Sequence, residues 1–158
     1  MTPEELGYFQ WDFEQWELKE VKEALQQADS GRLVPHSTVK RLFIPRYAPD
    51  MVGDFGNADS LARLQWADVV VNHLRSSCEL LNRSELSVGS YLSKVFSTVE
   101  MVCEHSGIGR HGRVRGTSEW DRGVGMPTVV YRERCGNIEV LGLPVSNHKW
   151  PHMKTASV

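Results

Sequence analysis

Hydrophobic positions recur at helical spacing in the first part of the chain. Across residues 8–29, aromatic and aliphatic side chains stand three or four positions apart, which leaves one side polar. This pattern predicts an amphipathic helix, for which Gly31 is a suitable C-terminal stop. Residues 32–36 should be extended, because a residue that precedes proline avoids the helical region. We expect a short second helix over residues 37–43.

The periodicity stops at residues 44–60. This stretch holds two prolines, two glycines and three aspartates, which is the composition of a linker. We therefore predict an N-terminal helical segment over residues 1–45, a linker over residues 46–60 and a separate domain over residues 61–158.

A different pattern begins at residue 61. Residues 61–66 alternate between apolar and polar positions, as a strand does. Residues 67–81 and 84–104 carry apolar side chains at helical steps and are predicted to form an antiparallel helical hairpin. Residues 107–116 contain four glycines and are expected to form a turn-rich loop.

The last part of the domain is rich in β-branched residues. Strands are predicted at residues 117–122, 127–134 and 138–143, with a tight turn at 135–137 between the last two. The resulting order, β-α-α-β-β-β, predicts an α+β fold. It should consist of a curved antiparallel sheet with the helical hairpin packed on one face, preceded by the N-terminal helical extension.

Charge is distributed unevenly along the chain. The net charge is −2, yet residues 1–60 carry 11 acidic and 6 basic side chains (−5), whereas residues 61–158 carry 9 and 12 (+3). Such asymmetry indicates either an interaction pair or a nucleic-acid contact. Two solvated surfaces of opposite sign are the alternative.

The cysteines and the apolar segments exclude several classes of protein. The three cysteines show no CxxC or Cys/His ligand spacing, so neither a zinc site nor a disulfide framework is predicted. No metal or other cofactor is expected. The first residues lack the basic start and apolar core of a signal peptide, and no apolar run approaches the roughly 18 to 20 residues of a membrane helix. We expect a cytoplasmic protein with no membrane partner.

Arginines between glycines and on the following strand are the candidate binding residues. Guanidinium groups suit the bidentate recognition of phosphates and carboxylates, so these side chains could contact a nucleic acid or an acidic protein. Alternatively, they pair with Glu119 or with acidic residues of the N-terminal helix and stabilise the fold. The candidates are Arg110, Arg113, Arg115, Arg132 and Arg134.

Several of these segments together resemble the second half of toxins of the ParE/RelE superfamily. They are GRHGRVRGTSEW at 109–120, VVYR at 129–132 and IEVL at 138–141. The opening LQWA at 64–67, the two-helix hairpin and the pair Trp150-Pro151 also agree, so the resemblance covers about residues 61–151. It implies a toxin domain in which Lys149 and Trp150 belong to the target-binding surface.

The N-terminal segment resembles the toxin-binding half of the partner antitoxins. The similarity lies in ADSGRLVPH at 28–36, followed by Val39 and Leu42. Antitoxins of this family normally begin with a DNA-binding segment, and none is expected before Tyr8, so direct DNA binding is not predicted. The predicted interface with the toxin consists of Phe9, Phe13, Trp16, Val21, Leu25, Leu33, Val34, Val39 and Leu42.

The aromatic start of the first helix must dock on another surface. The helix carries more aromatic surface than it can bury alone, and either the chain's own core or a partner groove could cover it. The N-terminal segment is therefore expected to bind the toxin-like domain in cis, or in a second copy of the chain by swapping.

The superfamily has two branches, which resemble ribosome-dependent mRNA endonucleases and poisons of DNA gyrase. Thr128 stands where the nuclease branch carries an arginine, so no catalytic residue is assigned. Ser118 stands where the gyrase branch usually has an arginine. The resemblance implies a type II toxin–antitoxin fusion that poisons gyrase by binding. The alternatives are a ribosome-dependent endoribonuclease and a non-toxic interaction module with a relic toxin fold.

Overall fold

A computed structural model of the chain describes residues 17–51, 61–84, 87–123 and 126–144. The first helix, α1, is described over residues 17–29. The elements that follow are β1 (Leu33–Pro35), α2 (His36–Tyr47), a 3₁₀ turn (Pro49–Met51), β2 (Leu64–Ala67), α3 (Asp68–Arg83), α4 (Val88–Glu104), a second 3₁₀ turn (Ser106–Ile108), β3 (Arg110–His111), β4 (Ser118–Trp120), β5 (Val129–Arg134) and β6 (Asn137–Gly142).

Helix α1 ends in a Schellman motif, as the position of Gly31 predicts. Gly31 adopts a φ of 79°, the left-handed conformation that glycine tolerates best. The amide of Arg32 donates to the carbonyl of Gln27 at 2.8 Å, and the amide of Gly31 donates to the carbonyl of Ala28 at 3.1 Å. The chain then turns directly into β1, so the predicted extended conformation is confirmed for residues 33–35, whereas His36 is already the first residue of α2.

Helix α2 is longer than predicted and extends into the stretch assigned to the linker. It continues through Pro45 to Tyr47. Pro45 lies on the exposed side of the helix, whereas Phe43, Ile44 and Ala48 are buried. Packing of these apolar side chains therefore outweighs the helix-breaking tendency of proline. Residues 52–60 of the predicted linker lie outside the described residues.

The predicted α+β class is confirmed, and residues 61–144 follow the predicted order of elements. The six strands form one sheet in the order β1-β2-β6-β5-β4-β3. Two features differ from the prediction. Strand β3 lies within the predicted loop, and β2 pairs with β6 in parallel, whereas the other ladders are antiparallel.

The two faces of the sheet carry different helices. Trp66, Val140 and Tyr131 are register partners on neighbouring strands, so their side chains share one face. Trp66 contacts α2 and α4, which places these helices on that face. Arg132 and Glu139 lie on the opposite face, where they meet the end of α1.

The described N-terminal elements share the hydrophobic core with the rest of the chain. Val39, Phe43 and Ile44 of α2 are buried together with Leu64, Trp66, Leu92 and Val140. The division into two domains remains a prediction. Among the described residues, no helix is long and apolar enough to cross a membrane.

Candidate functional site

Arg132 and Arg134 converge on one carboxylate of the N-terminal helix. They are two residues apart on β5, so both side chains project from the same face of the sheet. Nη2 of Arg132 lies 3.0 Å from Oδ1 of Asp29, and Nη1 of Arg134 lies 2.9 Å from the same oxygen. Nη2 of Arg134 also donates to the carbonyl of Ala28 at 3.0 Å. The two arginines thus bind both the side chain and the backbone at the end of α1.

A buried carboxylate holds both guanidinium groups from the sheet side. The side chain of Glu139 is 3% exposed and accepts from Nε of Arg132 at 2.7 Å and from Nη2 of Arg134 at 3.0 Å. Burial by itself would lower the pKa of Arg132, but hydrogen bonds and charge from Glu139 and Asp29 outweigh it and raise that pKa. Arg132 therefore stays charged, and its direction is fixed by Glu139.

A third arginine contacts α1 at the other end of its described part. The backbone amide and Nε of Arg113 donate to Oε2 of the buried Glu119 at 2.8 and 3.3 Å. Nη2 of Arg113 lies 3.7 Å from Oε2 of Glu17, the first described residue of α1. Glu17 and Asp29 are twelve residues apart, or roughly 18 Å along a helix. Ion pairs with arginines therefore lie at both ends of the described part of α1.

The other predicted target-binding residues face solvent or lie outside the described residues. Arg110 is exposed on β3 and lies 3.7 Å from Glu119 and 3.5 Å from Asp121. Arg115 is exposed in the turn that precedes β4. Lys149 and Trp150 lie outside the described residues. The predicted arginines therefore divide into three that form ion pairs with the described part of α1 and two that form none with it.

A second polar cluster joins α2 to β2 and α4. Nε1 of Trp66 donates to Nδ1 of His36 at 3.0 Å, and Nε2 of His36 lies 2.8 Å from Oε2 of Glu100 in α4. Nζ of Lys40 donates to the same carboxylate oxygen at 3.0 Å. His36 and Lys40 are 1% and 2% exposed. The cluster therefore links three elements across the core.

The geometry of the cluster assigns the tautomer of His36. The indole N–H of Trp66 can only donate, so Nδ1 of His36 carries a lone pair and Nε2 carries the proton given to Glu100. Burial would raise the pKa of Glu100, but the hydrogen bonds from His36 and Lys40 outweigh it and hold that pKa below its ordinary value. Lys40 and Glu100 form the charged pair, and His36 is a neutral donor.

Tyr131 is a structural residue of β5. Its ring is buried, its hydroxyl donates to the carbonyl of Ser106 at 2.6 Å, and it accepts from the amide of Gly109 at 3.0 Å. A Cβ at Gly109 would collide with this hydroxyl, so the loop before β3 needs glycine there. Burial raises the pKa of Tyr131. Thr128 is also buried, and neither side chain is presented to solvent.

The predicted interface residues that are described behave differently from one another. Val39 and Val21 are buried, whereas Leu25, Leu33 and Val34 are partly buried and pack against the core. The side chain of Leu42 is 49% exposed on the outer side of α2, so its place in the interface stays a prediction. The helix turns Val39 and Phe43 inward, and Leu42 stands about 100° away from Phe43. Phe9, Phe13 and Trp16 lie outside the described residues.

Four charged residues of the two clusters are not among the residues that the sequence predicts, namely Asp29, Glu139, Lys40 and Glu100. One signal exists in the sequence. Arg132 and Glu139 lie at equal distances from the two-residue turn at residues 135–136, so the register of a tight hairpin sets them opposite each other. Asp29 and Glu100 meet partners more than 50 residues away, and local patterns carry no information on such pairs.

Within the described residues, no group of three or more His, Cys, Asp or Glu side chains is placed to hold a metal ion. Comparison of the chain with protein-family models, curated proteins and solved structures finds no match.

Proposed function

We propose that residues 61–158 form a ParE-type toxin domain and that the N-terminal segment neutralises it in cis. The chain would then act as a type II toxin–antitoxin fusion in the cytoplasm, with DNA gyrase as the target of the released toxin domain. The observation that carries this proposal is the occupation of Arg113, Arg132 and Arg134 by α1. These are three of the residues assigned to target binding, and the occupying groups belong to the antitoxin-like segment.

The charge balance of the chain supports the same proposal. The acidic N-terminal part contacts the basic remainder through Glu17 and Asp29, as an interaction pair would. Strand β1 also lies beside β2 at the edge of the sheet, with Val34 opposite Trp66. Addition of a strand to a sheet edge is a recurrent way for one polypeptide segment to bind another.

Binding is favoured over RNA cleavage by the state of two side chains. A nuclease of this superfamily would need a basic group at Thr128, and that position holds a buried neutral side chain. The hydroxyl of Tyr131 is held by Ser106 and Gly109, so it is not free to assist proton transfer. The described residues therefore support a domain that acts by contact.

Growth of cells tests the toxin assignment. One strain expresses residues 61–158, a second expresses the full chain, and a third expresses residues 61–158 together with residues 1–60 from a separate promoter. We expect growth arrest only in the first strain. Normal growth of a strain that holds soluble 61–158 would contradict the toxin assignment.

Residues 61–158 lack the core side chains of α2 and can be insoluble when expressed alone. A full-length variant tests neutralisation by α1 without this truncation. Val21→Asp places a charge at a buried position of α1 and should release this helix, whereas Gln26→Asp adds the same charge at an exposed position. We expect growth arrest with Val21→Asp alone. Normal growth with both folded variants would count against neutralisation by α1.

Purified Val21→Asp protein separates the two targets. Inhibition of DNA supercoiling by gyrase is the expected result, with no effect from Gln26→Asp. Cleavage of mRNA in a translating extract, without any effect on supercoiling, would instead assign the protein to the nuclease branch.

A further inference from the structure

The arginine pair on β5 has the features of a binding site for a small anionic group. We propose that Arg132 and Arg134 form an oxyanion site that Asp29 occupies as an internal ligand. The site would accept a phosphate or carboxylate oxygen once Asp29 is withdrawn. This inference rests on the proposed function in one respect, namely that α1 is the segment that withdraws Asp29 from the site.

The first support is the convergence of the two guanidinium groups. Both donate to the same oxygen of Asp29, at 3.0 and 2.9 Å. Glu139 binds each of them as well, through Nε and Nη2 of Arg132 and through Nη2 of Arg134. Because Glu139 is buried under them, the two groups keep their directions without Asp29. Donors that are already oriented bind an anion with little loss of side-chain freedom.

The second support is the position of Asp29 at the C-terminal end of α1. The dipole of a helix disfavours a negative charge at this end, where Lys and Arg are preferred. Asp29 is the last residue that the structure assigns to α1, and the carbonyl of Ala28 beside it is a further negative dipole. Helix stability therefore does not explain an acidic residue at this position. The ion pairs with Arg132 and Arg134 explain it.

The third support is the charge balance and the access of solvent. Two arginines and Glu139 carry a net charge of +1, which Asp29 cancels. The side chains of Asp29 and Arg134 are 58% and 41% exposed. An anion can therefore reach the site from solvent without any opening of the core.

Restoration of stability by anions tests the site in the full-length chain. Asp29→Ala removes the internal ligand, and its melting temperature is measured against inorganic phosphate or acetate at constant ionic strength. We expect an anion at about ten times its Kd to raise the melting temperature of this variant by roughly 3–6 °C. The wild type should respond much less because Asp29 fills the site. A larger response to phosphate than to acetate would assign the site to phosphate groups, and the reverse would assign it to carboxylates.

Two controls make the result specific. Asp50→Ala removes an exposed aspartate in the 3₁₀ turn after α2 and should behave as the wild type does. Asp29→Ala/Arg134→Gln should lose the response to both anions. Equal responses of Asp29→Ala, Asp50→Ala and the wild type would overturn the proposal.

NMR spectroscopy detects anion binding directly, even if the anion changes the melting temperature only slightly. The Nε–Hε NMR signals of arginine should shift on addition of phosphate or acetate to Asp29→Ala, and the same signals should stay in place in the double variant. Absence of any shift at 100-fold the concentration used in the melting experiment would also overturn the site. Neither readout depends on toxicity, so anion binding without growth arrest would remove the toxin assignment and leave the site.

Discussion

The N-terminal segment is attached to the rest of the molecule in two different ways. Helix α1 lies on the face of the sheet opposite to α2 and α4. Arginines pair with its acidic groups at both ends of its described part. Strand β1 and helix α2 instead join the edge of the sheet and the core, where His36 and Lys40 are held inside by Trp66 and Glu100.

The two attachments differ in the free energy needed to break their ion pairs. The side chain of Asp29 is 58% exposed, and ion pairs of exposed groups contribute about 0–1 kcal/mol each, because water solvates the separated charges well. A buried charge that loses its partner costs about 3–5 kcal/mol. The ion pairs of Asp29 are therefore easier to break than the pair of Lys40 and Glu100. The apolar side chains of α1, Val21, Ala24 and Ala28, are nevertheless buried in the same core as those of α2.

The attachment through α2 is tested most strongly by Phe43→Ala. Phe43 is fully buried in the common core, and truncation of a buried phenylalanine lowers the free energy of unfolding by about 3–5 kcal/mol. Urea unfolding at pH 7 measures the change. We expect both the N-terminal segment and the sheet to unfold at the lower urea concentration in one transition.

Leu42→Ala is the matched control, since Leu42 precedes Phe43 on the same helix and is half exposed. Its effect should stay within about 0.5 kcal/mol. Similar losses for the two variants, or a separate early transition of α2 in the Phe43→Ala variant, would contradict the assignment of α2 to the common core.

The buried charged pair is tested by Glu100→Gln. The amide keeps the shape of the side chain but leaves the charge of Lys40 without compensation at a position that is 2% exposed. We expect a loss of about 3 kcal/mol in the free energy of unfolding. Urea unfolding again gives the measurement.

A second substitution isolates the role of the charge. In Lys40→Met/Glu100→Gln both charges are absent and the methionine fills the space of the lysine stem, so part of the loss should be recovered. Simple addition of the two single effects would show that the pair is not coupled.

The same pair predicts a dependence on pH. The pKa of Glu100 is lowered in the folded chain from its ordinary value of 4.5, so its contribution to stability is complete above that value. The contribution is lost as the pH falls through the lower pKa of the folded state. The advantage of the wild type over Glu100→Gln should therefore be constant near neutral pH and shrink below about pH 4.5. A difference that stays the same from pH 7 to pH 3 would rule out Glu100 as the titrating group.

Most elements of the fold were predictable because each repeats a local pattern several times. Helices α3 and α4 have clear helical periodicity, and the turn between β5 and β6 has Cys135 and Gly136 at φ values of 54° and 78°, as a tight hairpin requires. Strand β3 was not predictable, since two residues cannot display an alternation. The parallel pairing of β2 with β6 depends on contacts between distant parts of the chain.

Only the arginines of the candidate site were predictable from the sequence, not their acidic partners. The spacing of Arg132 and Arg134 placed them on the same face of a strand, which the structure confirms. Their partners were not predictable, because Asp29 is 103 residues away from Arg132 and meets it only after α1 crosses the sheet. The same limit applies to Lys40 and Glu100, which are 60 residues apart.

The smallest effect concerns the packing of α1 on the sheet. A Cβ at Gly142 of β6 would lie 3.0 Å from Cγ2 of Val21, so Gly142→Ala crowds the helix if α1 docks as described. Val21→Ala removes the methyl group in question. We expect Gly142→Ala to be better tolerated in the Val21→Ala background by about 1 kcal/mol, as measured by urea unfolding of the four chains. Gly89→Ala, whose Cβ would lie at an ordinary 3.7 Å from Cβ of Ala48, should show no such coupling to Val21. Additive effects of Gly142→Ala and Val21→Ala would mean that α1 does not rest on β6, and neutralisation through this helix would lose its structural basis.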